Sequence, residues 1–460
     1  MTDRPSSWSL AAFAAPCLPL AALGLPLVVY LPEFYVSELG LSLGAVGAAF
    51  LIVRLIDIVF DPIIGGIMDR TGTQWGRFRP WLVAGSPLVM LGAFGLFMAQ
   101  PGIGPVYLWL CLIVVYAGYS MMALSHTAWA AVLSTDYQQR SRVYGWWQAG
   151  NVLGMILVLT LPPIIALAFK GDHAAGIRSM GWFIVLLIPL TVLLATRTVG
   201  ERQAPVVRHR SGITQYFALL KRSSTRKLLI ADLLMGLAPG IAGALFFFFF
   251  ERIKGFDKTE AGILLLVYFV AALAGAPLWP MLARRIGKHH ALAVASVAYA
   301  AVQVCAVLTP AGNTWAGMLV LILAGLPYSA APLLVRSMMA DIGDEERLAS
   351  GADRTGLLYA LVSGTVKLGH ALAIGAFPLL ALLGFDPKLP TAVGETALVA
   401  LYSVVPAAMG LVVAAVMLRY PLDATRVAEI QRQLAARDAA APSHHEPEPD
   451  THAALATPAE

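Results

Sequence analysis

The sequence predicts an all-α membrane protein with twelve transmembrane helices in two six-helix halves and with both termini in the cytoplasm. Of its 460 residues, 13% are charged and 58% are hydrophobic, whereas a soluble domain carries about 25% charged and about 45–50% apolar residues. The mean hydropathy is +0.73. Crossing a bilayer takes roughly 20 apolar residues, and runs of about that length recur along the whole chain.

The apolar runs are bounded by charged or turn-forming residues, and a charged linker separates the sixth run from the seventh. We place the spans at 8–31, 43–68, 80–100, 105–133, 143–169, 180–196, 228–251, 260–283, 289–310, 313–338, 355–384 and 396–418. The predicted units are an N-terminal bundle (1–196), a linker (197–227), a C-terminal bundle (228–418) and a tail (419–460). Two parallel halves of this kind are typical of secondary transporters.

Lysine and arginine are distributed unequally between the two sides of the predicted bundle. Of the 32 basic residues, 24 fall in segments on the linker side, six fall on the opposite side, and Arg54 and Lys367 lie within spans. Basic loops favour the cytoplasm, so we expect the linker side to be cytoplasmic. The protein is expected in the cell membrane, which would be the inner membrane of a Gram-negative bacterium. The same bias accounts for the net charge of +5, so nucleic acid is not an expected partner.

The tail after the last span carries a short helical pattern. Val427, Ile430 and Leu434 form one apolar stripe at helical spacing, and Asp423 is a suitable N-cap. We expect a surface helix here. The final stretch, 439–460, is rich in alanine, proline, histidine and glutamate and is expected to be disordered.

The second span carries three charged residues on one helical face. Arg54, Asp57 and Asp61 are spaced by three and four residues. Two carboxylates one turn apart in a low dielectric cannot both ionise cheaply. An ionisable residue inside a span indicates a functional site, and this pair favours proton uptake or coordination of a small cation. A structural ion pair with Arg54 is the alternative, but it leaves one carboxylate unexplained.

Polar residues on the fourth and fifth spans are further candidates. His126 could carry a proton or could be a neutral residue bonded to a backbone carbonyl. Trp129 could be a stacking platform for a sugar ring or a packing residue, and Ser125 lies beside them. Gln148 and Asn151 on the fifth span could contact a solute or join helices.

Lys367 and His370 lie one turn apart on the eleventh span. A buried lysine needs a partner, and we expect the carboxylates Asp57 and Asp61 to provide it; the alternative is a lysine that snorkels to the membrane interface. Counted from the cytoplasmic ends, these acids, His126 and Lys367 lie at similar depths. They can therefore share one layer near the midplane, where transporters bind their substrates.

The loop after the second span is the most specific stretch of the sequence. It reads DPIIGGIMDRTGTQWGRFRPW over 61–81. Its charged residues Asp69, Arg70, Arg77 and Arg79 are expected to form a network that closes the cytoplasmic side. The second half has ARRIGK over 283–288 at the equivalent place. Both loops resemble the loop motif of the major facilitator superfamily.

The second span and its loop, with Asp341-x-x-Asp344 and Lys367-Leu-Gly further on, resemble the glycoside–pentoside–hexuronide:cation symporter family. The layout of the whole chain matches that family. The resemblance implies solute–cation symport by alternating access, with Asp57 and Asp61 binding the coupling cation. It places Lys367 near the cation and sugar sites and Trp129 in the sugar site, and we assign Asp341 to the charge network.

Departures from the family pattern bear on the ion and the solute. Ser125 and Phe60 stand where the melibiose permeases of the family carry a third carboxylate and an asparagine. Since sodium needs several oxygen ligands and His126 is titratable, we expect the proton to be the coupling ion, with sodium as the alternative. Ala21 and Gly150 replace a sugar-binding acid and arginine, so the solute could be a different sugar or an amphipathic molecule such as a lysophospholipid.

Other function classes receive little support from the sequence. No span offers His-Glu-x-x-His or a convincing nucleophile–base pair, which disfavours an enzyme. A receptor without transport would need a signalling partner, and the short tail leaves little room for one. Cys17, Cys111 and Cys305 lie in apolar runs and form no metal or disulfide pattern. We therefore expect no cofactor and no metal, and a monomer in the lipid bilayer.

Overall fold

The computed structural model describes residues 6–68, 71–133, 137–201, 219–351, 354–387, 389 and 391–440. These segments are helical almost throughout. The first half contains α1 (Ser7–Ala14), α2 (Cys17–Gly24), α3 (Tyr30–Ser37), α4 (Leu43–Met68), α5 (Arg79–Phe97), α6 (Pro105–Val132), α7 (Tyr137–Phe169) and α8 (His173–Thr198).

The second half contains α9 (Ser223–Ala244), α10 (Phe246–Arg252), α11 (Lys258–Gly275), α12 (Leu278–Ile286), α13 (Lys288–Leu308), α14 (Thr314–Tyr328), α15 (Ala330–Ser350), α16 (Thr355–Ile374), α17 (Ala376–Leu382), α18 (Ala392–Val399) and α19 (Val405–Leu418). A π-helical turn, Ala400–Val404, joins α18 to α19, and α20 (Ala424–Ala440) follows them.

Twelve helical segments of the described chain are long and apolar enough to cross a membrane. They correspond one for one to the predicted spans, so the twelve-helix all-α architecture is confirmed. The predicted bounds of the second span, 43–68, coincide with α4. The domain bounds at 196, 227 and 418 stay predictions.

The first predicted span is wrong as a single helix. Residues 8–31 form α1 and α2 and the start of α3, with interruptions near Pro16 and Pro26. Proline has no N–H to donate and its ring clashes with the preceding turn, which breaks a helix. The predicted span 260–283 is interrupted for the same reason at Pro277, between α11 and α12.

The tenth span is longer than its apolar run suggests. The sequence predicts an end near 338, but α15 continues to Ser350. Its last turns carry acidic and basic side chains that are paired with neighbouring segments, including Asp341 with Lys288. Since these pairs satisfy the charges, the helix extends past the end of its apolar stretch.

The tail contains a helix that packs on α15. The side chain of Asp423 accepts a hydrogen bond from the backbone N–H of Arg426 at 2.7 Å, as an N-cap does. Ile430 and Leu434 are buried against the second half. Of the stretch 439–460, which we expect to be disordered, residues 439 and 440 are helical and belong to α20, and residues 441–460 lie outside the described residues.

The two halves contact each other through α4 with α16 and α17, and through α7 with α11. Close approach of α4 to α17 depends on a glycine. A Cβ built on Gly47 would lie 2.6 Å from the Cβ of Phe377 and 2.6 Å from the Cδ of Pro378. These neighbours leave no room for a side chain, so Gly47 sets how closely the halves meet.

We predict that Gly47→Ala destabilises the protein. Overpacking of this kind costs about 1–3 kcal/mol, which exceeds the roughly 1 kcal/mol that alanine gains over glycine in a helix. The measurement is the melting temperature of purified protein. Gly44→Ala on the same helix is the matched control, since its nearest neighbour would lie 3.9 Å away. Equal melting temperatures for the two variants would contradict the prediction.

Candidate solute and cation site

A charged centre lies where α4 of the first half meets α16 of the second. The guanidinium of Arg54 lies 3.6 Å from Oδ2 of Asp57. The ammonium of Lys367 lies 3.7 Å from the same carboxylate oxygen and forms an ion pair with Oδ2 of Asp61. The helical spacing of the α4 residues places all three on the face that meets Lys367. The structure therefore brings together the four charges that the sequence singles out in the second and eleventh spans.

Helix α6 supplies two further groups to this centre, and the sequence analysis missed both. Ser120 donates a hydrogen bond from its hydroxyl to Oδ1 of Asp57 at 2.5 Å. The ring of Tyr116 lies under the Arg54 guanidinium, 4.9 Å from centroid to carbon. Their spacing of four residues, on one face of an apolar helix, was the available signal.

Exposure changes steadily across the centre. The side chain of Asp57 is 2% exposed, that of Asp61 is 13% exposed, and that of Lys367 is 33% exposed. Two carboxylates face two cations, so the group is neutral as a whole. The Oδ1 atom of Asp61 is buried and has no hydrogen-bond partner among the described residues. Asp57 is therefore the most buried of the three side chains, whereas Asp61 and Lys367 are partly exposed.

His126 lies apart from this centre. Its Nε2 is 2.7 Å from the carbonyl oxygen of Phe13, its Nδ1 is 3.7 Å from the Sγ of Cys17, and its ring stacks on Phe13 at 4.4 Å. A carbonyl oxygen only accepts, so Nε2 is the donor in this contact. The described contacts of His126 are therefore with α1 and α2 and not with Asp57 or Asp61, and its part in cation coupling stays a prediction.

The neighbours of His126 on α6 also point into the first half. Trp129 is fully buried, packs edge-on against Phe13 at 5.5 Å and lies under the guanidinium of Arg79 at 5.5 Å. The hydroxyl of Ser125 donates to the carbonyl of Met122 within its own helix. These contacts are those of packing residues, so a role for Trp129 and Ser125 in solute binding stays a prediction.

The remaining predicted site residues lie on α7 and α16. Asn151 donates from its amide to the carbonyl of Trp147 at 2.9 Å, while Gln148 is exposed. His370 lies one turn beyond Lys367 and is close enough to Arg54 for an electrostatic interaction between the two side chains. His370 therefore belongs to the surroundings of the charged centre, and Asn151 is held by its own helix.

The described part of the loop on the linker face has a partner that the sequence analysis did not identify, and the predicted charge network stays a prediction. Asp69 and Arg70 lie outside the described residues. The carboxylate of Glu201 accepts hydrogen bonds from the backbone N–H groups of Arg77 at 2.6 Å, Phe78 at 3.0 Å and Arg79 at 3.2 Å. An anion at a helix N-terminus offsets the helix dipole and satisfies free N–H groups. Glu201, in the predicted linker, thus caps α5, and the sequence analysis did not identify it.

The two described arginines of this loop bond to backbone carbonyls. Arg77 donates from Nε to the carbonyl of Met68 at 3.3 Å, and Arg79 donates to the carbonyl of Val199. Gly76 has a φ of +109° and faces the Glu201 carboxylate so closely that a side chain there would collide with it. Together these contacts bind the loop to the ends of α4 and α8.

In the second half, Asp341 joins a network of its own. Its carboxylate accepts two hydrogen bonds from the ammonium of Lys288, at 2.8 and 2.7 Å. The buried carboxylate of Glu346, further along the same helix, pairs with Arg222 at 2.5 Å and Arg354 at 2.8 Å. Asp341 is therefore paired with the second-half loop that resembles the 61–81 loop.

A second charged cluster lies at the face opposite the linker. Oε2 of Glu33 is 3.1 Å from Nε2 of His173, and Oε1 is 2.9 Å from the ammonium of Lys258. Lys258 also contacts Glu38 at 2.8 Å. Burial opposes ionisation of Glu33, but its hydrogen bond to His173 and the charges of His173 and Lys258 hold its pKa below the usual range. The sequence analysis missed this cluster because Glu33 follows the first predicted span directly and resembles a loop residue.

Asp232 is a further acid within a spanning helix that the sequence analysis passed over. It accepts a hydrogen bond from the hydroxyl of Thr365 at 2.5 Å. Asp232 lies on α9 and Thr365 lies on α16, two residues from Lys367. The bond therefore ties the lysine-bearing helix to the rest of the second half. Within the described part of the chain, no group of three or more His, Cys, Asp or Glu side chains could hold a metal ion.

Comparisons with known proteins agree with this architecture. Residues 12–424 match the family described as MFS/sugar transport protein. YagG of Escherichia coli strain K12, which is named for glycoside/cation symport, is 27% identical over 419 residues, which cover 88% of this chain and 89% of YagG. The raffinose carrier protein of Pediococcus pentosaceus is 26% identical over 352 residues, or 72% of this chain. The chain matches only 54% of that carrier's length.

Solved structures show the same fold at low sequence identity. The nucleoside transporter NupG superposes with a TM-score of 0.64 at 16% identity and covers 91% of this chain and all of that one. A D-xylose-proton symporter gives a TM-score of 0.65 at 14% identity, covering 90% of this chain and 97% of that one. These likenesses support the twelve-helix fold.

We predict that removing the Glu201 cap destabilises the linker face. Glu201→Ala leaves three backbone N–H groups at the start of α5 without their acceptor, at a cost of about 1–2 kcal/mol. Glu201→Gln keeps an acceptor oxygen and should lose less, so it is the matched control. Hydrogen exchange of the amides at 77–79 is the measurement. Unchanged protection in Glu201→Ala would contradict the assignment of Glu201 as the cap.

Proposed function

Because the chain belongs to the MFS/sugar transport protein family, we propose that it is a proton-coupled symporter that carries a sugar or glycoside by alternating access. It is a multi-pass protein of the cell membrane and a transporter rather than an enzyme, as its family and its relatives are. The coupling ion, the solute and the site residues are the proposed parts. We also propose that it acts as a monomer and that its linker face is cytoplasmic.

The observation that carries the proposal is the ion pairing of Lys367 with Asp57 and Asp61. These groups come from opposite halves and meet inside the membrane, where an unpaired charge is costly. Any cation that binds the carboxylates competes with Lys367. Binding of the coupling ion therefore changes a contact between the halves, which is what a coupling site has to do.

A proton suits this site better than sodium does. Sodium prefers a shell of several oxygens, and the described contacts gather only the two carboxylates and the Ser120 hydroxyl. A proton needs one free lone pair. The buried Oδ1 of Asp61 has no hydrogen-bond partner among the described residues, so it is the proposed acceptor.

The proposed cycle follows from charge balance. The unprotonated centre is neutral, with two carboxylates, Arg54 and Lys367. A proton on Asp61 removes one negative charge, so Lys367 loses a partner and its ammonium can donate hydrogen bonds to a solute at the exposed edge. When the proton leaves to the cytoplasm, Asp61 recaptures Lys367 and the solute loses those bonds. Solute and proton therefore bind together and leave together.

The solute class rests on the relatives. They include proteins named for raffinose, lactose and glucuronide carriage as well as glycoside/cation symport. We place the solute next to Lys367, between the halves. Uptake of labelled sugars, uronides and lysophospholipids by proteoliposomes tests this choice, and transport of a lysophospholipid alone would support the amphipathic alternative.

We predict that Asp57→Asn and Asp61→Asn abolish uphill accumulation. Asparagine keeps the shape of the side chain but carries no charge to exchange for a proton, so solute exchange should persist while concentrative uptake is lost. The assay is accumulation by membrane vesicles under an imposed gradient. The matched control is Asp232→Asn, a membrane acid outside this site, which should still accumulate. Full accumulation in both site variants would refute the assignment.

We predict that an inward pH gradient drives uptake. A protonophore should abolish accumulation, and replacement of sodium by choline should leave it unchanged. His126→Gln should leave the pH profile as it is, because both ring nitrogens are engaged in packing contacts. Strict dependence on sodium at constant pH would overturn proton coupling but would leave the two carboxylates as the cation site.

A further inference from the structure

The charged cluster at the face opposite the linker joins the two halves. We call it the outer cluster, and it consists of Glu33, Glu38, His173 and Lys258. Glu33 lies on α3, Glu38 follows α3, and His173 begins α8, so these three belong to the first half. Lys258 begins α11 of the second half. Opening this face would separate Lys258 from both glutamates.

Aromatic side chains close the same place. Tyr30 of α3 packs against Phe247 of α10 at 4.8 Å, across the two halves, and stacks on His173 at 6.4 Å. Phe247 lies 5.8 Å from His173. All five phenylalanines of 246–250 are buried. The outer cluster therefore packs against buried aromatic side chains. Its ion pairs lie in the contact between the halves that must break when this face opens.

Separation of the halves changes the charge balance around Glu33. Its side chain is 0% exposed, and a buried carboxylate that loses one partner is strongly destabilised. After Lys258 leaves, His173 remains at hydrogen-bond distance, since both residues belong to the first half. Imidazole is the side chain that commonly gains a charge between about pH 5 and 8. A proton on His173 can therefore replace the lost ammonium.

We propose that His173 and Glu33 form a proton-binding site in the outer gate, separate from Asp57 and Asp61, through which acid pH on that side favours opening. The proposal rests on alternating access, but it needs neither the proposed coupling ion nor the proposed solute. Its ligand is a proton, held between the imidazole and the carboxylate while the gate is open.

The net charge around His173 sets the sign of the effect. The acidic groups are Glu33, Glu38, Glu251 of α10 and the N-cap Asp172, and the nearby basic groups are Lys258 and Arg252. Opening removes the second-half groups Lys258, Arg252 and Glu251, which is a net loss of one positive charge, so the surroundings of His173 become more negative. The open state then binds a proton more tightly than the closed state. By linkage, the open fraction rises as the pH falls.

The carboxylate of Glu33 is charged in the closed gate. Burial opposes its ionisation, but its hydrogen bond to His173 and the charges of His173 and Lys258 hold its pKa below the usual range. Once Lys258 leaves, a proton on His173 gives this carboxylate an imidazolium partner. That contact lies inside one half and survives separation of the halves.

The test is a distance measurement between the halves at this face. Spin labels at Pro101→Cys and Ala311→Cys, both exposed, report the distance in the full chain reconstituted without solute, with Cys111 and Cys305 replaced. The population at long distance should rise about threefold from about pH 8 to about pH 5.5. In His173→Gln, which can still donate to Glu33 but cannot gain a proton, this response should vanish.

Three further variants make the result decisive. His173→Lys carries a fixed positive charge and should open the gate even at high pH, which also guards against a glutamine variant that fails to fold. Lys258→Gln should open it at every pH. The Asp57→Asn, Asp61→Asn pair alters the contact between the halves and so shifts the baseline distance distribution, but the rise of the long-distance population on acidification should persist, which separates this site from the coupling site. A full pH response in His173→Gln, or a closed gate in both His173→Lys and Lys258→Gln, would overturn the proposal.

Discussion

The ion pairing of two membrane acids of one half with a lysine from the opposite half is the interaction on which the site depends. Asp57 and Asp61 could not both stay charged in an apolar helix without it. Arg54 accounts for one carboxylate and Lys367 accounts for the other. A purely structural pair with Arg54 would therefore explain only one of the two acids, because the second acid is bound to the other half of the molecule. Because this contact between the halves depends on charge, binding of an ion changes it. Ion binding is thereby coupled to movement of the halves.

The surrounding helices keep this contact in place. Ser120 fixes one oxygen of Asp57 from α6, and Asp232 holds α16 through Thr365, two residues from Lys367. Gly47 lets α4 approach α17 closely on the same side. The charged centre is thus held between two packed bundles. The partly exposed edge at Lys367 is the proposed place of the solute.

The sequence predicts the helices better than it predicts which way they face. Apolar length identifies the twelve spans, and intramembrane charge identifies Asp57, Asp61 and Lys367, because both signals come from the cost of burying polar groups. Helix rotation has no comparable signal in an apolar helix. Depth alone predicts one layer for His126 and the acids, whereas the described ring contacts of His126 and of Trp129 are with Phe13. Ser120, on another face of α6, is the residue that reaches Asp57.

The sequence pattern also could not predict contacts between residues that are distant along the chain. Glu201 binds backbone N–H groups, which have no sequence signature, and Glu33 becomes buried only when His173 and Lys258 meet it.

Asp61 as the proton acceptor is the central claim, and infrared difference spectra on acidification test it directly. The account predicts that a protonated-carboxyl band appears in the wild type and in Asp232→Asn and is lost in Asp61→Asn. An unchanged band in Asp61→Asn would contradict it.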